Sequence, residues 1–399
     1  MPAPEGPLII APAGIDYFDC TGCGRCCKLW GVQVDADSFR RARDFLENPP
    51  APRPNPDLDW YKEEEGNIYY NLTPRGNCVF LDANHMCYLH THDPALKSIV
   101  CRNYPREETR TPRGREVTLT FSSYGAFVNV LCRPEPFSLV RSPMTQPLPL
   151  PDASKPAISH PKSLSWKTLY LVEEALLDTI ASTSQLDDAL AQCAHFLSKV
   201  EGHDDGKKLR RAIQAREIHP SVRMNIPGIS DLESAWKLID RIIRFRILFL
   251  ADNPMLEPDR IEVQKLIDDM QNGPGDEKIG PSLFYRRLRR SWFDPCSAEI
   301  TPLLRKFILY KIFKKTFFLE YGLVRGFNII CFMYALARLQ LMLMARREGR
   351  VPGQADLFEP LRFAEVHFAH SGRFLQFWKE AFKSDMLASA AITEILVRA

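Results

Sequence analysis

The 399-residue sequence contains no long apolar run. Its longest uncharged stretches, residues 117–132 and 326–337, stop short of the roughly 20 apolar residues a spanning helix needs, so no transmembrane segment is expected. Residues 1–14 hold no Lys or Arg and no apolar core of signal-peptide length, which argues against export and for a cytoplasmic setting. A large excess of charge of one sign is lacking as well. The 52 Lys and Arg stand against 49 Asp and Glu, a net charge of +3, which excludes nucleic-acid binding through a strongly basic surface. A glycine-rich nucleotide turn is missing, because Gly22-Cys23-Gly24 sits in no strand–helix context. No CxxxCxxC occurs, since Trp30 stands where its third cysteine would, and no separate CxxC pair follows downstream. No internal repeat of solenoid length is visible.

Cysteine, by contrast, is plentiful and unevenly placed. Of 11 cysteines, eight lie between Cys20 and Cys132, while Cys193, Cys296 and Cys331 are spread over the remainder. In a reducing compartment, clustered cysteines are metal ligands more often than disulfides. Residues 20–27 form a CxxCxxCC motif, in which Gly22 and Gly24 permit the positive dihedrals that turn successive sulfurs toward one centre. Cys78, Cys87, Cys101 and Cys132 follow singly. The compact CxxCxxC run is similar to part of a ferredoxin ligand set, which tilts the centre toward [4Fe–4S], with zinc as the alternative. Candidate ligands are therefore Cys20, Cys23, Cys26, Cys27, Cys78, Cys87, Cys101 and Cys132. Four suffice for either metal, so the surplus leaves two centres, or thiols with other roles, open. Adjacent Cys26 and Cys27 face opposite ways in an extended backbone, so one of them is the first to leave a single set. Cys193 and Cys331 read as helix-core residues; Cys296 is unassigned.

Proline divides the chain. Of 31 prolines, 21 fall at or before Pro161, so the first part is turn-rich. Residues 142–162 read as a polyproline-like linker. Short strands are expected at 68–72, 78–81 and 117–121, and a short helix at 39–46 started by Asp35 or Asp37. Beyond the linker the period is helical, with about eight helices. Ser184 is the expected cap of a helix over 186–197, Ser230 and Glu233 form a capping box, and Thr301-Pro302 opens another helix. Residues 327–347 form a central helix and 360–382 a further one. The basic, aromatic stretch 305–315 reads as a solvated helix face, with peripheral membrane contact as the alternative. The expected fold is α+β and mainly α: a Cys-rich metal-cluster domain (1–141), a linker (142–162) and a larger all-helical domain (163–399).

Several segments together resemble the CxxCxxCC cysteine-cluster superfamily and, more narrowly, flagellin lysine N-methylases. They are the CxxCxxCC start with Trp30 three residues after Cys27, Cys78-Val79-Phe80-Leu81, Met86-Cys87-Tyr88-Leu89-His90, Cys101-Arg102-Asn103-Tyr104-Pro105-Arg106 and Cys132-Arg133-Pro134. His370-Ser371 before Phe374-Leu375 is a further, looser likeness. The resemblance implies methyl transfer from S-adenosylmethionine to lysines of flagellin, dependent on an iron–sulfur cluster. A lysine acceptor must lose its proton before it attacks. Candidate bases are Tyr104, Asp82, His85, His90 and His92. Tyr104 and Arg106 are the catalytic candidates, and Arg102 and Arg106 the candidates to pair with the cofactor's carboxylate. The Arg286–Arg290 run reads as a solvated face or a dock for an acidic partner. The rival readings are a metal-stapled binding module without catalysis and, ranked last, an electron-transfer protein, which has little use for so large a helical region.

Overall fold

Proline density sets where this chain can be helical, and the elements follow it. The computed structural model describes residues 7–28, 31–64, 66–144, 149–158, 163–203, 206–220, 232–250, 257–271, 281–369, 372–383, 392–393 and 396. The strands are β1 (Leu8–Pro12), β2 (Tyr61–Glu64), β3 (Asn67–Tyr70), β4 (Arg106–Thr111), β5 (Gly114–Leu119), β6 (Leu139–Pro143), β7 (Pro156–Ile158) and β8 (Leu164–Ser165). Before the proline-rich stretch the helices are short: α1 (Ala36–Glu47), α2 (Tyr88–His92), α3 (Ile99–Asn103) and α4 (Tyr124–Ala126). After it they lengthen: α5 (Trp166–Ser182), α6 (Leu186–Gly202), α7 (Gly206–Gln214), α8 (Leu232–Leu250), α9 (Glu257–Gln271), α10 (Pro281–Leu288), α11 (Ser297–Lys314), α12 (Thr316–Tyr321), α13 (Leu323–Glu348), α14 (Phe358–Phe368) and α15 (Gly372–Lys383).

The fold is α+β and mainly α, with a small Cys-rich region and a larger helical one. The chain forms two compact units: a smaller one of residues 17–107 and 119–130, and a larger one of 1–16, 108–118 and 131–399. This differs from the expected division, because β1, β6 and most of β4 and β5 belong to the larger unit. There they form a sheet in the order β4-β5-β1-β6, with β1 parallel to β5 and antiparallel to β6. A sheet edge tolerates proline, which is why Pro143 can close β6 and Pro156 can open β7 within the stretch expected to be a linker.

In the smaller unit, Asp35 caps α1 by accepting from the Ser38 amide at 2.9 Å, the start expected from sequence. β2 and β3 form a hairpin. The expected strand at 78–81 is instead a set of turns, held by isolated bridges from Leu72 to Cys78 and from Leu81 to Cys87.

α13 is the axis of the larger unit. It is long and apolar enough to cross a membrane by length and composition alone, yet 89% of its most apolar stretch is buried inside the protein. It packs against α6, α11, α12 and α14, as a core helix does. Its Tyr334 and Arg338 bind Asp187 of α6, at 2.5 Å from Tyr334 Oη and 3.0 Å from Arg338. α12 crosses α13 closely at Gly326. A Cβ there would stand 2.7 Å from the Phe317 carbonyl carbon and oxygen, which are backbone and cannot swing aside. Gly326→Ala is expected to cost about 1–3 kcal/mol, read from the urea midpoint. An unchanged midpoint would refute this account of the crossing.

Several boundaries differ from the sequence reading. The described residues of 163–399 hold eleven α-helices rather than about eight. Where two helices are expected, one from Thr301-Pro302 and one over 327–347, Lys315 (φ 58°) and Gly322 (φ 86°) set off a third, α12, between α11 and α13. The 360–382 segment is two helices, α14 and α15. Gln185, not Ser184, precedes α6, and no side chain caps it. α11 starts at Ser297, so Pro302 lies inside it; the proline start signal belongs to Pro295, in the turn that leads into the helix. Ser230 lies outside the described residues. The 305–315 stretch turns its cations inward. Arg305 donates to the carbonyls of Thr183 and Ser184, Lys306 to that of Arg133, and Lys311 and Lys315 are buried in ion pairs. It presents neither a solvated basic face nor a membrane-binding one.

Candidate metal centre

The motif loop is built by two left-handed glycines. Gly22 (φ 61°) and Gly24 (φ 65°) take dihedrals that other residues resist, and the Cys27 amide closes the turn on the Gly24 carbonyl at 3.0 Å. The Cys27 carbonyl then accepts from the Cys78 amide at 2.8 Å, so backbone pairing alone brings these two cysteines together. Cys87 returns through the turn after Asp82, whose carboxylate accepts from the amides of Asn84 and Met86, both at 2.8 Å. His85, at φ 63°, is part of that turn. Cys101 lies in α3, where Ser98 Oγ accepts its amide at 3.1 Å. Asp35 ties α3 to α1 by accepting from the Ile99 amide at 3.0 Å. That bond and the Ser38 amide outweigh burial and hold the Asp35 carboxyl down at about 2.

These contacts gather four thiols. Cys78, Cys87 and Cys101 pack on the unit's apolar core of Val34, Tyr70, Val79, Phe80, Tyr88, Leu89 and Leu96. Burial pushes the Cys27 thiol up, and Cys87, Cys78 and Cys101 each push it further. Burial likewise raises Cys78 to about 12, with Cys87 and Cys101 adding. Cys87 and Cys101 are raised chiefly by burial too. The four are half-buried and within electrostatic reach of one another, an environment that disfavours thiolate until a cation joins it. In donor type and number they fit a zinc ion or an iron–sulfur cluster. As placed, no three His, Cys, Asp or Glu side chains among the described residues are arranged to hold a metal ion.

The rest of the motif is less buried or has other partners, although Cys20 also adds to the upward push on the Cys87 thiol. The Cys26 Sγ lies 3.9 Å from Ser123 Oγ, and burial raises its thiol to about 11, with Cys23 and Cys20 adding. Cys26 and Cys27 therefore have different surroundings although they are adjacent. Cys20 is exposed and Cys23 half-buried. Cys132 belongs to the larger unit, where burial lifts its thiol to about 11 against the pull of Lys306. Among the remaining cysteines, Cys193 and Cys331 are buried helix residues. Cys296 is buried with its Sγ 3.2 Å from the Trp292 carbonyl.

The other candidates are dispersed. The Tyr104 hydroxyl is 2.9 Å from Ser122 Oγ. Arg102 is exposed on α3, and Arg106 is exposed with its guanidinium 5.3 Å above the Phe18 ring. His92 stacks edge-on against Tyr88 at 4.6 Å. His90 has a buried Nδ1 with no hydrogen-bond partner among the described residues, and burial lowers its pKa. Sequence reasoning missed Tyr70, whose phenol is buried and pushed up first by burial and then by Cys101, Cys87 and Cys78. Nothing but its place at the buried end of β3 marked it. Trp30 and His370 lie outside the described residues. Arg286 and Arg290 are exposed, whereas Arg289 pairs with Asp294 at 3.3 Å.

Two family models match the chain. That of the FliB lysine N-methylase C-terminal domain covers residues 180–393, and that of the CxxCxxCC zinc- or iron-chelating domain covers residues 19–118. No curated protein and no solved structure matches it.

Proposed function

The chain belongs to the FliB lysine N-methylase family, and from that premise we propose that it transfers methyl groups from S-adenosylmethionine to lysine side chains of flagellin, with a [4Fe–4S] cluster held in its Cys-rich unit. What carries the reading is the gathering of Cys27, Cys78, Cys87 and Cys101 in a chain that also has the methylase domain. The cofactor supplies a methyl group on a sulfonium, an electrophile the protein's own side chains do not provide. The lysine amine forms the new C–N bond, the S–CH3 bond breaks, and the amine's proton leaves. Tyr104, in its phenolate form, is the proposed acceptor of that proton, and Arg102 and Arg106 the proposed partners of the cofactor's carboxylate. Cys20, Cys23, Cys26 and Cys132 are held as further ligands or supporting thiols. A cytoplasmic setting is part of the proposal, since it keeps the eleven free cysteines reduced.

The test is a single preparation. The protein is purified without oxygen, assayed for iron, sulfide and zinc, and incubated with labelled S-adenosylmethionine and flagellin. Iron, sulfide and labelled flagellin together are the expected result. Iron without label favours a metal-stapled binding module. Zinc alone sinks the cluster.

A further inference from the structure

The larger unit contains a cavity of about 510 Å³, open to solvent along the exposed Lys167, Lys207, Arg211 and Gln214, between the first turns of α5 and one face of α7. α5 lines it with Lys167 and Tyr170, and α7 with Lys207, Arg210, Arg211 and Gln214. The α7 residues follow i, i+3, i+4, i+7 spacing, which places all four on one side of the helix. Leu209 and Ile213 of α7 are buried on the opposite side. The helix is therefore anchored with its cationic face toward the cavity. Arg113 stacks 4.2 Å from the Tyr170 ring, which fixes the phenol as part of the wall.

Four of the lining residues are cations, and no described residue lining the cavity is a carboxylate. Like charges at i, i+3 and i, i+4 repel. Lys167 and Lys207 sit in the first turns of their helices, at the positive end of each dipole, where a cation is disfavoured and an anion favoured. In a chain of net charge +3 the concentration of charge here is local, not a reflection of composition. A bound anion is favoured by both helix N-termini and by the guanidiniums of Arg210 and Arg211. The volume lies within the roughly 300–1,000 Å³ of small-molecule sites. The two guanidiniums offer forked donors that match phosphate oxygens. The same charge repels a lysine ammonium and a sulfonium, so the cavity is unsuited to the methyl-transfer partners and stands apart from that reaction.

We propose that the α5–α7 cavity is a binding site for a small polyanion bearing two or more phosphate groups. The probe is inorganic tripolyphosphate, titrated calorimetrically into the full chain at low and at raised salt. Saturable one-to-one binding that weakens with salt is expected. Arg210→Gln with Arg211→Gln is expected to weaken it by about tenfold or more, with the ligand-free melting temperature unchanged. Should that pair unfold the protein, Lys207→Gln is read instead. Arg286→Gln with Arg290→Gln removes the same charge from exposed positions outside the cavity's lining, and is expected to change binding by less than about twofold. Absence of saturation, or equal weakening by both pairs, overturns the site. Hexaglutamate binding as tightly as tripolyphosphate overturns the small-ligand assignment in favour of an acidic protein segment.

Discussion

Cys27→Ser is expected to strip the protein of its metal and to abolish methyl transfer in the same step. Cys27 is the one motif cysteine whose thiol is raised by all three distant thiols, Cys78, Cys87 and Cys101. Its carbonyl also holds the Cys78 amide, so the serine variant keeps the backbone pairing and loses only the donor sulfur. Cys20→Ser is the contrast: its thiol is exposed, and most of the metal is expected to stay. The expected effect on the fold is large. Structural zinc in zinc-finger peptides contributes about 10–16 kcal/mol, comparable to the whole net stability of a domain at about 5–15 kcal/mol, and sets the scale for a four-thiol centre. The smaller unit has short helices, two-stranded pairing and a modest apolar core, so it has little else to offset that loss. Metal analysis and limited proteolysis of both variants decide the matter. Equal metal loss in Cys20→Ser and Cys27→Ser would show that the four-thiol grouping is wrong, as would full metal content in Cys27→Ser.

Why the sequence foretold some of this and not the rest follows from the range of the interactions. The mainly helical larger region, the core places of Cys193 and Cys331, and the Asp35 cap depend on neighbours a few residues away, and such patterns are readable. The grouping of the cysteines depends on contacts across the chain. Nothing local distinguishes Cys26 from Cys27; the difference comes from Ser123 on one side and Cys78 on the other. The 305–315 stretch shows the same limit. Its basic residues carry the pattern of a solvated helix, yet their partners Glu116, Glu173 and Glu365 lie far away in sequence. A lysine opposite a distant carboxylate looks, locally, like a lysine opposite water. The sheet escaped for a related reason, since β1 pairs with β5 and β6 across more than 100 residues.

Lys315→Met is expected to be the most damaging substitution in the larger unit. Lys315 is fully buried, and its amine binds Glu116, Glu173 and, at 2.7 Å, the Phe313 carbonyl. Arg113 bridges the same two carboxylates, at 2.6 Å to Glu116 and 2.8 Å to Glu173. Without the amine, two buried carboxylates face one guanidinium. Removing one partner of a buried ion pair costs about 3–5 kcal/mol, which corresponds to a fall of roughly 5–10 °C in melting temperature. The left-handed backbone at Lys315 does not explain such a loss, because methionine has the same Cβ and the strain is unchanged. The electrostatic cause has its own signature. Burial already holds the Glu173 carboxyl above its ordinary value, with Lys315 pulling it back down. In the variant it rises further, so the folded state keeps a proton that the unfolded state has released. Stability is then greatest below the unfolded carboxylate value of about 4.3 and is lost as pH rises through the raised folded value. The deficit against the parent protein should therefore be smaller at about pH 5 than at about pH 8. Adding Glu116→Leu to Lys315→Met restores one carboxylate to one guanidinium, and more than half of the lost stability should return. A deficit that does not vary with pH, or no recovery in the double variant, would mean that the charge network is not what makes Lys315 necessary.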